Sequence, residues 1–227
     1  MKKQCLAWCI AVVLMLGVVQ VFSQNIPSPV ESIRTGDIPE KPDYLKFIQE
    51  KYDELSVHIT PSVLYNRMTD ARRVTNYAGT SAKLYEYTKE EKYLANAKMA
   101  FDVFVSELKR KESLVSSNQF FVDEPLAYAY QILRKYYDID EGTQLVLRMD
   151  FRRNAAAWVI NDDNQATSRA IGVLGAYECF PDDPYAAEWL QYVNEVWNFW
   201  YDKKESDENA ANYNAIAVGK IIQLAIH

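Results

Sequence analysis

The sequence predicts an all-α protein built from antiparallel helical hairpins. The chain holds only seven glycines and eight prolines in 227 residues, and the alternating runs of β-branched residues that mark strands are almost absent. Apolar residues recur instead at three- and four-residue spacing, which is the spacing of one buried helix face. Short turns alternate with polar links, most of them longer, as they do between paired antiparallel helices.

The first 23 residues have the pattern of a secretory signal peptide. Lys2 and Lys3 precede an almost wholly apolar run, and Val21 and Ser23 suit the two positions that a signal peptidase reads. An uncleaved membrane anchor is the alternative. The apolar run of roughly 16 residues is a little short for that role, because ~20 residues span a bilayer. We expect cleavage near Ser23, a secreted or periplasmic protein, an extended lead-in at 24–42 and a helical domain at 43–227.

Charge and composition narrow the classes of partner. The formal charge is -6, and it becomes -8 once the two lysines of the signal peptide are removed, which argues against nucleic acid as a partner. An anionic glycan is still compatible, because clefts focus potential locally. The only cysteine after the signal peptide is Cys179, so no internal disulfide can form, and we expect it to be a buried, inert thiol. Sixteen tyrosines and five tryptophans fit either a helical core or a surface that stacks on sugar rings.

The first five helices are predicted from their apolar stripes. The first spans residues 44–57, and Pro61 then breaks the pattern over 58–69. The others are predicted at 70–87, 92–108, 124–137 and, less regularly, 142–159. The stripe residues of these four are Val74, Tyr77, Ala78, Leu84 and Tyr85; Leu94, Ala97, Phe101, Phe104, Val105 and Leu108; Leu126, Ala129, Tyr130, Leu133 and Tyr136; and Leu147, Phe151, Ala155 and Trp158.

The sixth helix lies in the stretch around which the chain is organised, residues 161–184. Asp162, Asp163 and Asn164 can accept hydrogen bonds from the first amides of a helix, and Thr167 or Ser168 are alternative caps. The sequence FPDDP ends this helix abruptly. A seventh and an eighth helix are predicted from the stripes Trp189, Val193, Val196, Trp197 and Trp200, and Tyr213, Ala217, Ile221, Leu224 and Ala225.

The connections predict how the helices are arranged. The polar links at 58–69, 109–123, 159–165 and 202–208 alternate with short turns, so all four links should lie at one end of the assembly. The helices that follow them begin near residues 70, 124, 166 and 209, at intervals of roughly 40 to 55 residues, which is about one helical hairpin. Either an open solenoid or a curved (α/α) toroid satisfies this pattern.

Four motifs resemble the (α/α) toroid domain of secreted polysaccharide lyases of the heparinase II/III and alginate-lyase type. They are the helix pair NYAGTSAKLYEYTKEEKYLANAKMAFDVFV, the helix start EPLAYAY, the asparagine-containing entrance to the helix at 170–182, and the helix start ENAANYN at 208–214. Each motif alone is loose, but the likeness runs over most of residues 45–227. The resemblance implies an incomplete toroid, with catalytic groups gathered where the inner helices begin.

The resemblance also implies roles for particular residues. In such lyases an asparagine neutralises the uronate carboxylate, and a tyrosine, often with a histidine, moves the protons. Asn164 matches the asparagine position best, and Tyr213 is the corresponding candidate tyrosine. The sequence departs from the family pattern at Gln165, where the lyases commonly carry histidine. After the signal peptide the chain has only His58 and His227.

The residues can also be judged against the chemistry of β-elimination, the reaction that the resemblance implies. The reaction needs a base, a group that offsets charge on the carboxylate and an acid at the leaving oxygen. Asn164 and Arg169 suit the carboxylate, and Tyr213 suits proton transfer if a cation lowers its pKa. Substrate-binding candidates at the helix beginnings are Asn118, Glu124, Asn161, Asp163, Asn209 and Asn212.

Each candidate also has a structural interpretation. Asparagine and aspartate before a helix are more often caps, and Arg169 can simply pair with Asp162 or Asp163. Glu124 lies in a first helical turn, where the helix dipole favours an acid. Arg152 and Arg153 fit a solvated face.

Two other functional classes remain open. A glycoside hydrolase on the same fold would use two carboxylates, and a non-catalytic secreted module would bind glycan or act as a scaffold. No HExxH, GxSxG, Cys/His cluster or glycine-rich phosphate loop is present, and we expect neither a metal nor a cofactor. Because the last apolar stripe reaches Ile226, a further domain or chain is expected to cover it.

Overall fold

The computed structural model describes residues 41–111, 121–155, 164–203 and 219–220. Within them the protein is all-helical, which confirms the predicted class. The helices are α1 (Lys41–Ser56), α2 (Pro61–Asn66), α3 (Ala71–Thr88), α4 (Glu91–Lys111), α5 (Asp123–Leu133), α6 (Glu141–Ala155), α7 (Asn164–Cys179) and α8 (Ala186–Lys203), and a 3₁₀ turn, Met68–Asp70, precedes α3. None of the helices in these ranges is long and apolar enough to cross a bilayer.

The chain divides into two compact units after Val57. The first unit contributes α1, whose Lys51 and Glu54 form an exposed ion pair one turn apart. The second unit begins at His58 and contains α2 to α8. It carries all of the features described below.

The predicted break at 58–69 is wrong in part, because α2 lies inside it. Pro61 starts this helix rather than interrupting one, since a proline at the first position loses no helical hydrogen bond. Thr60 caps the helix, its Oγ1 accepting from Val63 N at 3.3 Å. Leu64 is completely buried, so packing stabilises a helix too short to persist alone.

The fourth predicted helix is also shorter than the sequence indicates. α5 ends at Leu133 and the chain continues in turns through Tyr137. Tyr136, placed in the apolar stripe by its spacing, is 50% exposed. Its ring packs edge-on against Tyr85, with ring centroids 5.1 Å apart.

Helices α3, α5 and α7 pack side by side, with α5 in the middle. The three helices run parallel, because residues further along one helix contact residues further along its neighbour. From α3 to α5, Arg72 lies over Phe121 and, further along, Lys83 lies over Tyr128. From α5 to α7, Gln131 donates to Glu178 at 3.0 Å, beyond the close contact of Ala127 with Gly175. The beginnings of the three helices therefore lie on one side of the layer.

The other long helices flank this layer. α4 packs on α3, α8 packs on α7, and α6 contacts both α4 and α7. The expected separation of polar links from short turns is incomplete, however. Lys109, where one polar link was predicted to begin, donates to Thr143 Oγ1 at 2.8 Å beside the short turn before α6.

Glycines let α5 lie close to both neighbours. A Cβ built on Gly79 of α3 would come 2.7 Å from Pro125 Cβ, and one built on Gly172 of α7 would come 2.8 Å from Asp123 Cβ. Real Cβ atoms do not approach so closely, so any side chain at these positions would push α5 away. Because these two positions carry no side chain, the first turn of α5 can pack closely against both neighbouring helices.

Aromatic rings hold the far half of the layer together. Tyr130 of α5 lies 6.3 Å from Phe101 and 5.1 Å from Phe180, measured between ring centroids. Cys179, next to Phe180, is buried as expected, and burial raises the pKa of its thiol to about 12. Such a thiol is protonated and unreactive at neutral pH.

The turn after α7 corrects the prediction that Arg152 is only a solvated charge. Its guanidinium donates to both carboxylate oxygens of Asp183, with the shortest contact at 2.8 Å, and Arg148 approaches the same carboxylate at 3.5 Å. Burial alone would raise the pKa of Asp183, but these bonds outweigh it and hold that pKa below its ordinary value. The FPDDP turn is therefore tied to α6 by an ion pair whose carboxylate is buried and whose guanidinium is partly exposed.

Candidate functional site

A cavity of about 450 Å³ opens between α3 and the beginning of α5. We call it the basic groove. Its lining residues are Arg72, Asn76, Gly79, Thr80 and Lys83 from α3; Phe121, Glu124 and Pro125 at the start of α5; and Lys220.

The sequence of α3 explains why this groove is polar on one side. Val74, Ala78 and Ala82 recur every four residues and face the core. The groove residues Arg72 and Asn76 recur at the same spacing but are offset by two positions, which turns them to a different side of the helix. One helix thus supplies both a core face and a binding face.

Glu124, a predicted binding residue, lies in the groove and is held by two lysines. Lys220 Nζ donates to Glu124 Oε2, and Lys83 Nζ lies 3.9 Å from Glu124 Oε1. Glu124 also lies in the first turn of α5, where the helix dipole favours a negative charge. Its carboxylate is therefore engaged by cations rather than placed to act as an acid.

The other end of the groove combines a guanidinium with an aromatic ring. The guanidinium carbon of Arg72 lies 5.8 Å from the centre of the Phe121 ring, and Arg72 Nη2 donates to Asp70 at 3.4 Å. A ring and a guanidinium side by side offer a flat apolar surface next to a planar hydrogen-bond donor. Three cations and one carboxylate line the groove, and Asp70, outside the lining, offsets part of the Arg72 charge, so the groove is locally positive in an acidic protein.

Tyr128, one turn after Glu124, lies beside the groove but is a poor candidate for a base. Its hydroxyl donates to Glu86, and Lys83 Nζ lies 5.1 Å from its ring centre. Burial and the neighbouring Glu86 carboxylate raise the pKa of Tyr128. Its hydroxyl therefore keeps its proton at neutral pH.

A second cluster lies at the same end of the layer but in the interior. It consists of Asp123 at the start of α5, Asp150 and Asn154 near the end of α6, and Arg169 of α7, and we call it the acid cluster. Asn154 Nδ2 donates to Asp123 Oδ1 at 2.5 Å, and Arg169 Nη1 donates to the Asn154 carbonyl at 2.9 Å. Asp123, Asp150 and Asn154 are 3%, 1% and 3% exposed.

Both carboxyls of the acid cluster are shifted in the same direction. Burial, and secondly the charge of Asp150, raise the pKa of Asp123 well above its usual range against the opposing effects of Asn154 and Arg169. Burial raises the pKa of Asp150 to about 6, while Arg153 and Asn154 act in the other direction. Neighbouring buried carboxyls resist losing both protons.

Arg169, predicted to bind a substrate carboxylate, belongs to the acid cluster and not to the lining of the groove. Asn164 is the first residue of α7, as the prediction of a helix start there requires. Thr167 and Ser168, considered as alternative caps, are instead buried within the helix. The remaining predicted site residues lie outside the described residues: Asn118, Asn161, Asp163, Asn209, Asn212 and Tyr213.

Of the nine lining residues, sequence reasoning identified only Glu124 as a site residue, and it missed the three cations Arg72, Lys83 and Lys220 and the Phe121 ring. Basic residues on one exposed helix face are common, so Arg72 and Lys83 gave no distinctive signal. A usable sign was their spacing of 11 residues, three helical turns, opposite an apolar stripe. Only tertiary packing brings Phe121 and Lys220 to the same place.

Comparisons of the chain with known protein families, with curated proteins and with solved structures find no match. The motifs quoted above and the geometry of the groove are therefore the grounds for a functional proposal.

Proposed function

We propose that this protein binds a uronate-containing polysaccharide in the basic groove. The observation that carries the proposal is the combination of Arg72, Lys83 and Lys220 with the Phe121 ring around one open cavity. A uronate chain presents carboxylates for the cations and apolar sugar faces for the ring. Exposed Asn76 and Thr80, which also line the groove, suit the sugar hydroxyls.

The charge of the whole protein does not oppose this proposal. The groove has a local excess of cations although the chain is acidic, and a cleft focuses its own potential. Binding carried by ion pairs should weaken as salt is added, because exposed charges are screened beyond a distance of about 10 Å at 0.1 M salt.

Cleavage of the bound chain by β-elimination is the further part of the proposal. It rests on the resemblance to polysaccharide lyases and on the position of the groove beside the beginnings of α3 and α5. Tyr213 is the proposed proton-transfer group, and Asn164 the proposed partner of the substrate carboxylate. Glu124, bound by two lysines, is assigned to positioning the cations and not to proton transfer.

A panel of uronate polymers tests both parts. Calorimetry measures binding, ultraviolet absorbance detects the conjugated double bond that only a lyase creates, and a reducing-end assay detects any cleavage. We expect binding to at least one polymer, with absorbance that is lost in Tyr213→Phe. Reducing ends without absorbance would indicate a glycoside hydrolase, binding without cleavage a glycan-binding module, and no binding at all would contradict the proposal.

A further inference from the structure

The acid cluster contains two buried oxygen atoms that the hydrogen-bond network leaves unmatched. Within the described residues, neither Asp150 Oδ1 nor Asn154 Oδ1 has a hydrogen-bond partner, and both residues are almost completely buried. An unmatched buried polar atom lowers the stability of the fold, because it has given up its hydrogen bonds to water. Both atoms are acceptors when Asp150 is ionised, so they cannot bond to each other in that state.

One proton resolves this arrangement. Asn154 follows Asp150 by one helical turn on α6, so the two side chains are neighbours. A proton on Asp150 would turn one carboxylate oxygen into a donor, and the unmatched Asn154 Oδ1 is an acceptor that could take that hydrogen bond. Asn154 Nδ2 already donates to Asp123 Oδ1, so a continuous hydrogen-bonded chain would join the two carboxyl groups.

The charges around the cluster favour a bound proton over two ionised carboxylates. Arg169 faces Asp123 from α7, and Arg153 acts on Asp150 from α6. Arg153 is exposed and its Nε donates to the Met149 carbonyl at 3.2 Å, so it compensates Asp150 only weakly. On the groove side of α5, Glu124 is paired with Lys83 of α3 and with Lys220.

We propose that Asp123, Asp150 and Asn154 form a proton-binding joint that seats the first turn of α5, and that losing its proton loosens that seat. Asp123 is the first residue of α5 and lies against Gly172 of α7, so a buried, uncompensated charge that appears in the joint acts directly on the position of α5. Glu124 is the next residue, which makes the joint a pH-dependent control of the basic groove. The pH-dependent control of the groove rests on the proposed function, whereas the proton-binding joint does not.

The direction of the pH dependence follows from the raised pKa values. The folded protein holds the proton more tightly than the unfolded chain, whose aspartates titrate near ~3.9. The stabilisation is therefore complete below about pH 4 and is lost as pH rises through about 6, the folded value for Asp150. The two values predict a change on the order of 100-fold in the unfolding equilibrium constant.

The test compares urea unfolding of the wild-type protein, Asp150→Asn and Asp138→Asn at pH 4.5, 5.5, 6.5 and 7.5. Asparagine at position 150 imitates the protonated group, and Asp138 is an exposed aspartate that serves as the matched control. We expect the wild type and the control to lose stability with rising pH relative to Asp150→Asn, by up to roughly 100-fold in the unfolding constant. If the stability of all three proteins changed equally with pH, the proposal of a proton-binding joint would be wrong.

Two further measurements distinguish a failure of the proton-binding joint from a failure of the proposed function. If Asp150→Asn does not fold, carbon-13 NMR of aspartate carboxyls in the wild type decides: one titration near pH 6 supports the joint, and titration of every aspartate below about pH 5 overturns it. Polyuronate binding at pH 5 and pH 7.5 tests the control of the groove. A protein that binds no polyuronate at any pH contradicts the proposed function, while the unfolding slopes still judge the joint.

Discussion

At the scale of single residues, Asp123 and Glu124 are neighbours in the chain whose carboxyl groups lie in opposite surroundings. Glu124 faces the open groove between Lys83 and Lys220. Asp123 is buried, and burial raises its pKa. The helix turns Asp123 toward the interior and Glu124 toward the groove, so one carboxyl group is desolvated while the other is paired with lysines.

A similar contrast between adjacent aspartates gives a stability prediction. Asp183 is buried against Arg152 and Arg148, whereas the side chain of Asp182 is 73% exposed. Asp183→Asn removes the charge-assisted hydrogen bonds to two partly buried guanidinium groups, so it should destabilise the fold by ~2 kcal/mol. Asp182→Asn should cost under about 1 kcal/mol. Urea unfolding at pH 7 measures both, and equal losses would contradict the account.

At the scale of the helices, the seat of α5 between α3 and α7 determines where the groove lies. Pro125 and Asp123 approach the neighbouring helices so closely that only glycine fits opposite them. With α5 this close to its neighbours, Glu124 lies beside α3, and Asp123, in the same turn, lies in the interior. The groove and the acid cluster are therefore two sides of one packing arrangement.

Gly79→Ala tests this packing. Alanine is a better helix former than glycine by about 1 kcal/mol, but its Cβ would lie 2.8 Å from the Pro125 carbonyl oxygen, a backbone atom that cannot easily move away. Overpacking of this kind costs about 1–3 kcal/mol, so we expect net destabilisation and weaker glycan binding.

Gly219→Ala is the matched control, because nothing lies within 4 Å of a Cβ built at that helical position. Thermal unfolding should show a higher or unchanged melting temperature for this variant and a lower one for Gly79→Ala. A rise of equal size in both would show that α5 is not seated as described.

The periodicity of apolar residues predicts long amphipathic helices well, but it misses a short helix and does not reveal where a helix ends. The stripe from Leu94 to Leu108 predicts α4 well, because a long amphipathic helix contains its own signal. α2 was missed because it is held by the burial of Leu64, which involves residues distant in sequence. Tyr136 was assigned to a stripe because spacing alone does not reveal where a helix ends.

The candidate site was predicted less completely than the helices. Glu124 was identified because an acid at a helix start is visible in the sequence. Arg169 was identified as a functional candidate, but its partner is the carbonyl of Asn154, 15 positions earlier and on another helix. The groove could not be derived, since it requires knowing that Phe121 and Lys220 meet α3.

At the scale of the whole molecule, the proposed function requires export. The apolar run after Lys2 and Lys3 predicts a signal peptide cut near Ser23. Expression of the full sequence in a bacterium should place the protein in the periplasm or the medium, with an N-terminus at about Gln24. N-terminal sequencing checks this, and a membrane-bound product that keeps Met1 would show an uncleaved anchor instead.

Two adjacent arginines allow a direct test of whether the basic groove binds an acidic glycan. Arg72 lines the groove, whereas Arg73 is exposed on the same helix outside the lining and also bonds to Asp70. The measurement is the dissociation constant for a polyuronate, by calorimetry at low salt, for Arg72→Gln and Arg73→Gln. We predict binding about tenfold weaker for Arg72→Gln, because one charged hydrogen bond is lost, and unchanged binding for Arg73→Gln. Equal affinities for the two variants would contradict the claim.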